Sequence, residues 1–164
     1  MSREGHWAKS LEVYESLSAV GVRPDTTITN AAISACDKGG QWEKALQLFK
    51  AMPDMGMDRD AITYSALISA LSKGRQWGMA IDVFNHMVAE GVECDAVTCC
   101  SLITALDKGG QWQLAEQALF DEMLSCSLSP SLISYNTLLH AYAKMGAWQE
   151  GLGLLQHMCS RCDM

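Results

Sequence analysis

Seven cysteines and four histidines are the residues of this 164-residue chain most able to do chemistry, and their spacing argues against most of it. Cys36, Cys94, Cys99, Cys100, Cys126, Cys159 and Cys162 are odd in number and lack the paired intervals of a secreted disulfide framework, so reduced thiols packed as small apolar groups are expected. Cys159-Ser160-Arg161-Cys162 has the spacing of half a zinc site, but no second Cys or His pair accompanies it, and no metal is expected. His6, His86, His140 and His157 have no nucleophile arrangement beside them, no paired carboxylates and no ligand cluster shared along the chain. The sequence therefore reads as a binding protein without cofactors, not an enzyme.

The elements that must position any binding residues declare themselves through tryptophan. Trp7, Trp42, Trp77, Trp112 and Trp148 are separated by 35, 35, 35 and 36 residues. Tyr14, Phe49, Phe84, Phe120 and Leu155 keep the same beat, as do Leu17, Met52, Met87, Met123 and Met158, and together they place one inserted residue between Trp112 and Phe120. A fixed period of this length marks a solenoid in which each unit buries its apolar face against its neighbours. The units are 26–60, 61–95 and 96–131, flanked by a partial unit 1–25 and a C-terminally truncated unit 132–164, as in a piece of a longer array or a very short one.

Each unit reads as two helices. In the first complete one, helix one is predicted over roughly Thr29 to Lys38, with Ala32, Ile33 and Cys36 on its apolar side and Ala35 in a slot shared with Ala70, Ala105 and Ala141. Gly39-Gly40, Gly74, Gly109-Gly110 and Gly146 end these helices, since glycine takes the left-handed conformation at little cost. Helix two begins near Trp42, and Trp42, Ala45, Leu46, Phe49 and Met52 form one stripe, with core packing the expected role of the tryptophans. Pro53 should end that helix by Met52. Lys38, Lys73, Lys108 and Lys144 fall at the ends of the first helices, where the dipole stabilises a cation by about 0.3–1 kcal/mol.

Periods near 34 residues also suit tetratricopeptide repeats, which mostly bind proteins. The residues favour another family. Ile62-Thr63-Tyr64-Ser65-Ala66-Leu67-Ile68-Ser69-Ala70 and Ile133-Ser134-Tyr135-Asn136-Thr137-Leu138-Leu139-His140-Ala141 are followed by a Lys-Gly or Lys-x-Gly turn, and the units carry Phe-x-x-Met helix ends and a Gly-Val-x-x-Asp link. The chain resembles P-type pentatricopeptide-repeat (PPR) proteins over nearly its whole length. That resemblance implies an all-α, right-handed superhelical solenoid of antiparallel helix-turn-helix repeats, tetratricopeptide-like in build.

It also implies single-stranded RNA as the partner, read one base per repeat by two or three side chains. The base-sandwiching slot falls on Thr27, Ile62, Val97 and Ile133, all β-branched and stiff. The base-reading slots fall on Asn30 with Asp60, Ser65 with Asp95, Cys100 with Ser131, and Asn136. By the same resemblance the first pair implies uridine and the second guanosine, while Cys100 with Ser131 matches no familiar pair. Asn, Ser and Asp at helix starts are also favoured simply as caps. The four lysines become phosphate contacts.

The formal charge of −7 opposes a nucleic-acid partner, and the objection has to be met locally. Segments 26–38, 61–73, 96–108 and 132–144 hold the four lysines against Asp37 and Asp107, a surplus of two positive charges, so the rest of the chain carries −9. Thr27, Asn30, Ser34 and Lys38 step by three or four and share one helix face, which is expected to be open and mildly basic. The resemblance implies a role in organellar RNA processing, stability or translation, in chloroplast or mitochondrion, with further repeats or domains of a longer chain as possible partners. No targeting peptide is recognisable, and no run of about 20 apolar residues exists to span a membrane. Two alternatives remain open: a protein-binding helical-repeat scaffold, favoured by the acidity, and the RNA-holding part of a larger enzyme resembling protein-only RNase P.

Overall fold

The computed structural model describes residues 4–19, 24–117 and 132–162. Within them every regular element is helical: α1 (Glu4–Ala19), α2 (Thr26–Lys38), α3 (Trp42–Ala51), α4 (Ala61–Lys73), α5 (Trp77–Ala89), α6 (Ala96–Lys108), α7 (Trp112–Gln117), α8 (Leu132–Met145) and α9 (Trp148–Cys162), with a 3-10 turn at Pro53–Met55. Helices α2, α4, α6 and α8 pack in succession into one wall, and α3, α5, α7 and α9 follow their partners as the second layer. Each second helix also leans on the next first helix, α3 on α4, α5 on α6 and α7 on α8. The fold is thus the all-helical solenoid of hairpins. The interval from Trp112 to Phe120, in which the inserted residue is predicted, is described only as far as Gln117.

The first helices start earlier than their apolar pattern indicates. α2 begins at Thr26, not Thr29, because Asp25 caps it: its backbone is extended (φ −92°, ψ 173°) and its carboxylate accepts the Ile28 N–H at 2.7 Å. Thr26, Thr27 and Ile28 are β-branched and weak helix formers, and a cap of this kind is worth about 0.5–2 kcal/mol. Asp60 and Asp95 repeat the arrangement on α4 and α6, accepting the N–H of Thr63 at 2.8 Å and of Thr98 at 2.7 Å. At α3 the proline acts as expected, and the helix stops at Ala51 before the 3-10 turn.

Glycine ends the first helices, but for two reasons. Gly40 and Gly110 take the left-handed backbone (φ 67° and 71°), and in the middle unit Arg75 occupies that position at φ 57°. Gly39, Gly74 and Gly109 remain right-handed at φ −85°, −74° and −81°. What Gly74 and Gly109 supply is the absence of a side chain: a β-carbon on Gly74 would lie 2.7 Å from Cγ of Trp42, and one on Gly109 would lie 2.6 Å from Cγ of Trp77. Each indole therefore rests on bare backbone of the following unit. Trp42 and Trp77 are half-buried at the joint between units, where they also pack against the core.

The core itself is the continuous ribbon between the layers. Ile33, Leu67, Ile68, Leu71, Ile103 and Leu106 of the first helices, Phe84 and Met87 of α5, and Met52 just past the end of α3 are almost wholly buried. Each such side chain stabilises the fold by about 1.5–3 kcal/mol relative to exposure. Ala35, Ala70 and Ala105 are buried where first helices approach one another. Cys36, Cys94 and Cys99 are buried thiols, and burial pushes the Cys36 thiol up. In α9 Gly151 and Leu154 are buried as their equivalents Ala80 and Val83 are, while Trp148, Leu152 and Leu155 are exposed.

Candidate nucleic-acid interface

The start of each first helix gathers the residues singled out for binding. Thr27, Ile62 and Val97 sit in the first turn, one residue inside the helix, where they point off the packed wall. Ile62 is 62% and Val97 64% exposed, which is unusual for the type and leaves flat, stiff apolar surfaces at equivalent places in successive units. The side chain of Ile133 lies outside the described residues, as does Ser131.

Asn30 departs from the open face expected of it. It is only 7% exposed, because its amide is held by the end of its own unit and the start of the next. Its Nδ2 donates to both oxygens of Asp60, at 3.0 and 3.2 Å. Its Oδ1 accepts the Thr63 hydroxyl at 2.6 Å. Thr63 also lies 2.8 Å from Asp60 Oδ1 through its hydroxyl and accepts the Asp60 N–H at 3.3 Å, closing a capping box. Burial pushes the Asp60 carboxyl up, but the Thr63 N–H, the Thr63 hydroxyl and the Asn30 amide outweigh that push and hold it below the ordinary aspartate value.

The other reading slots are differently placed. Ser65 is half-buried and donates to the Ile62 carbonyl at 3.1 Å, which leaves its lone pairs as the outward-facing function. Asp95 is exposed and accepts the Thr98 hydroxyl at 2.7 Å. Cys100 is half-buried, and Asn136 is exposed on α8. Capping and recognition are therefore not exclusive at Asp60 and Asp95: each uses Oδ1 to cap and keeps lone pairs to spare.

The lysine row is partly committed to the protein. Lys73 donates to Asp37 Oδ2 at 2.7 Å and to the Asp37 carbonyl at 3.2 Å, while Lys108 reaches the Ser72 carbonyl and hydroxyl at 3.5 Å. His140 continues the ladder one unit on, with Nδ1 3.6 Å from Asp107 Oδ2. These contacts span adjacent first helices, and the Lys73–Asp37 ion pair among them carries the modest energy of an exposed pair. The basic surplus is thus smaller in effect than the count of charges indicates. Lys38 and Lys144 are exposed.

Two groupings escaped the sequence reading. Thr63 was missed as part of the site, although Asp60-Ala61-Ile62-Thr63 and Asp95-Ala96-Val97-Thr98 share an Asp-x-x-Thr pattern that announces a cap. At the α3–α5 junction, the Arg59 guanidinium lies 4.1 Å from the Phe49 ring centre and donates to the Phe49 carbonyl at 3.1 Å. It also pairs with Glu90 at 3.6 Å, and the Tyr64 hydroxyl donates to Glu90 and lies 2.8 Å from His86 Nδ1. Burial, then the bond to Glu90, pushes the Tyr64 phenol well above its usual range. This network ties three helices together and would need a contact map to be seen.

The PPR repeat family matches residues 24–73 and 59–108, and the PPR repeat itself matches 133–162. Among curated proteins none matches. Among solved structures the chain is similar to the pentatricopeptide repeat protein PPR10 in complex with an 18-nt psaJ RNA element, with a TM-score of 0.76 and 25% identity over 90% of this chain and 22% of that one. It is similar to PPR10 from maize at a TM-score of 0.73 and 29% identity, over 98% of this chain and 22% of that one. The PPR domain of Arabidopsis thaliana protein-only RNase P 1, in complex with tRNA, superposes at a TM-score of 0.82 with 15% identity over 98% of this chain and 84% of that one, a likeness of fold alone. The chain spans 22% of the length of the PPR10 structures it matches. With the repeat signature covering more than half of its residues and the hairpin solenoid that carries it, this chain belongs to the pentatricopeptide (PPR) repeat family.

Proposed function

We propose that this chain binds single-stranded RNA along its wall of first helices, one base per repeat, as a binding element and not a catalyst, in organellar RNA processing, stability or translation. The observation that carries the reading is the meeting of Asn30 with Asp60: two reading slots thirty positions apart come within 3.0 Å of each other, in the unit before exposed Ile62. The PPR10 complex with RNA supports it by analogy. Thr27, Ile62, Val97 and Ile133 sandwich bases, and Lys38, Lys73, Lys108 and Lys144 contact phosphates.

Hydrogen-bond chemistry gives the bases. An ionised Asp only accepts, so Asp60 and Asp95 favour uracil and guanine, which carry an N–H at the centre of the pairing edge, over cytosine and adenine, which carry a bare acceptor there. Between those two, the resemblance to the family assigns uridine to Asn30 with Asp60 and guanosine to Ser65 with Asp95. Fluorescence anisotropy of the full chain is expected to show tighter binding to a short RNA with U-G at these positions than to one with C-A, by roughly tenfold per position, the worth of one hydrogen bond lost to an acceptor–acceptor clash. Equal affinity for both, or none for either, would overturn the reading.

Salt dependence gives a second measure. Exchanging the four lysines for glutamine is expected to flatten the slope of log affinity against log salt by about 0.7 for each lysine that neutralises a phosphate. Lys73, already paired with Asp37, should contribute less than Lys38. An unchanged slope would assign the lysines to helix ends and inter-repeat register alone.

A further inference from the structure

We infer that Thr63 is a specificity-determining residue for the base read by Asn30 and Asp60, an inference that rests on the RNA reading above. Its position is unlike that of an ordinary cap. The side chain is completely buried, and its single hydroxyl faces two acceptors, Asn30 Oδ1 at 2.6 Å and Asp60 Oδ1 at 2.8 Å. Asn30 comes from one repeat, Asp60 closes that repeat, and Thr63 opens the next. The site for one base is therefore assembled across a repeat boundary.

The three side chains hold one orientation of the amide. Asp60 only accepts, so the NH2 end of Asn30 must face it; the carbonyl end is then turned to Thr63, whose hydroxyl is the donor that stabilises it there. Asp60 selects which end faces it, and Thr63 fixes where the amide lies. The two oxygens of Asp60 lie in nearly one direction from Nδ2 and share one N–H, so what remains for a base is the other N–H of Asn30 and the spare lone pairs of Asp60. That edge suits uracil, whose carbonyl oxygens flank an N–H. Cytosine replaces one carbonyl with an amino donor and the N–H with a bare nitrogen, so two of its groups meet like groups. Without the Thr63 hydroxyl, Asn30 Oδ1 is a buried acceptor lacking its donor, and the side chain gains by swinging away to find water. The amide then meets the base in no fixed orientation.

The equivalent positions sharpen the inference. Thr98 keeps the hydroxyl and directs it to Asp95 Oδ1 at 2.7 Å, whereas Ile28, in the same place beside Asp25, has none to offer. A unit's base preference thus depends on a residue that belongs to its successor, and reading slots taken from one repeat alone leave part of it out.

The test compares Thr63→Val, which removes the hydroxyl at nearly constant shape, with Thr63→Ser, which keeps it, in the full chain. Affinities are measured for short RNAs with uridine or cytidine facing Asn30 and guanosine or adenosine facing Ser65. Thr63→Val is expected to lower the uridine-to-cytidine ratio about fivefold, the worth of one hydrogen bond. The guanosine-to-adenosine ratio at the neighbouring site should stay unchanged, and Thr63→Ser should keep both ratios at their wild-type values. A full uridine preference in a folded Thr63→Val chain overturns the inference and leaves the RNA reading standing. Equal losses at both sites also overturn it, since that is what a loosened helix start produces. Should valine disturb the helical circular dichroism, Thr63→Ala supplies the same comparison. A wild-type chain with no uridine preference overturns the reading and the inference together.

Discussion

Gly74→Ala is expected to destabilise the fold by about 1–3 kcal/mol, the range of an overpacked site, although alanine is the better helix residue. The backbone at Gly74 is right-handed (φ −74°), so alanine suffers no conformational strain there. The penalty arises from the indole: the new methyl would sit 2.7 Å from Trp42 Cγ and force the ring, or α4, to move. Urea denaturation in the Trp42→Ala background separates the causes. With the indole gone, the same glycine-to-alanine change should turn mildly stabilising, by about 0.4–1 kcal/mol, through the unfolded chain. A penalty that persists without Trp42 would mean that the contact is not its source. Gly109 with Trp77 offers an independent copy of the experiment, with the β-carbon 2.6 Å from Cγ.

Asp60→Ala should cost about 2 kcal/mol at neutral pH, combining a lost cap with a buried Asn30 amide left without its acceptor. The sign of its pH dependence follows from the carboxyl being held below its ordinary value. A depressed carboxyl contributes stability that is fully present above the unfolded value of about 3.9 and is lost as pH falls through the lower, folded one. The gap between wild type and Asp60→Ala should therefore be constant from about pH 5 upward and narrow below about pH 4. Thermal melts across that range measure it. A gap that widens in acid would contradict the hydrogen-bond assignment. The same variant should lose the preference for uridine over cytidine, since Asp60 supplies the acceptor.

The helical hairpins were legible because their causes are local and repeated. Tryptophan spacing, the apolar stripes of Leu67-Ile68-Leu71 and their equivalents, and the Pro53 stop all act within one helix or at one fixed interval. What stayed hidden depends on residues brought together by the superposition of units. Gly74 looks like a left-handed terminator until Trp42, 32 positions earlier, is seen against it, and Arg75 takes the strained angle instead. Asn30 looks like an exposed slot until Asp60 and Thr63 close over it. The lysine row looks uniform, yet Asp37 engages Lys73 while Lys38 stays exposed. A sequence pattern records which residue types recur, but not which polar atoms are already partnered, and that occupancy decides what an incoming ligand meets.

The indole seated on bare backbone also sets a length. Because Trp42 and Trp77 rest directly on the main chain of the following unit, nothing compressible separates one hairpin from the next at that contact. At these two joints the interval between first helices is then a hard-stop dimension. Any linear polymer lying along the wall has to offer its own units at that interval or fall progressively out of step. The tryptophan–glycine contact is in this sense a gauge for the spacing of the units on either side of it.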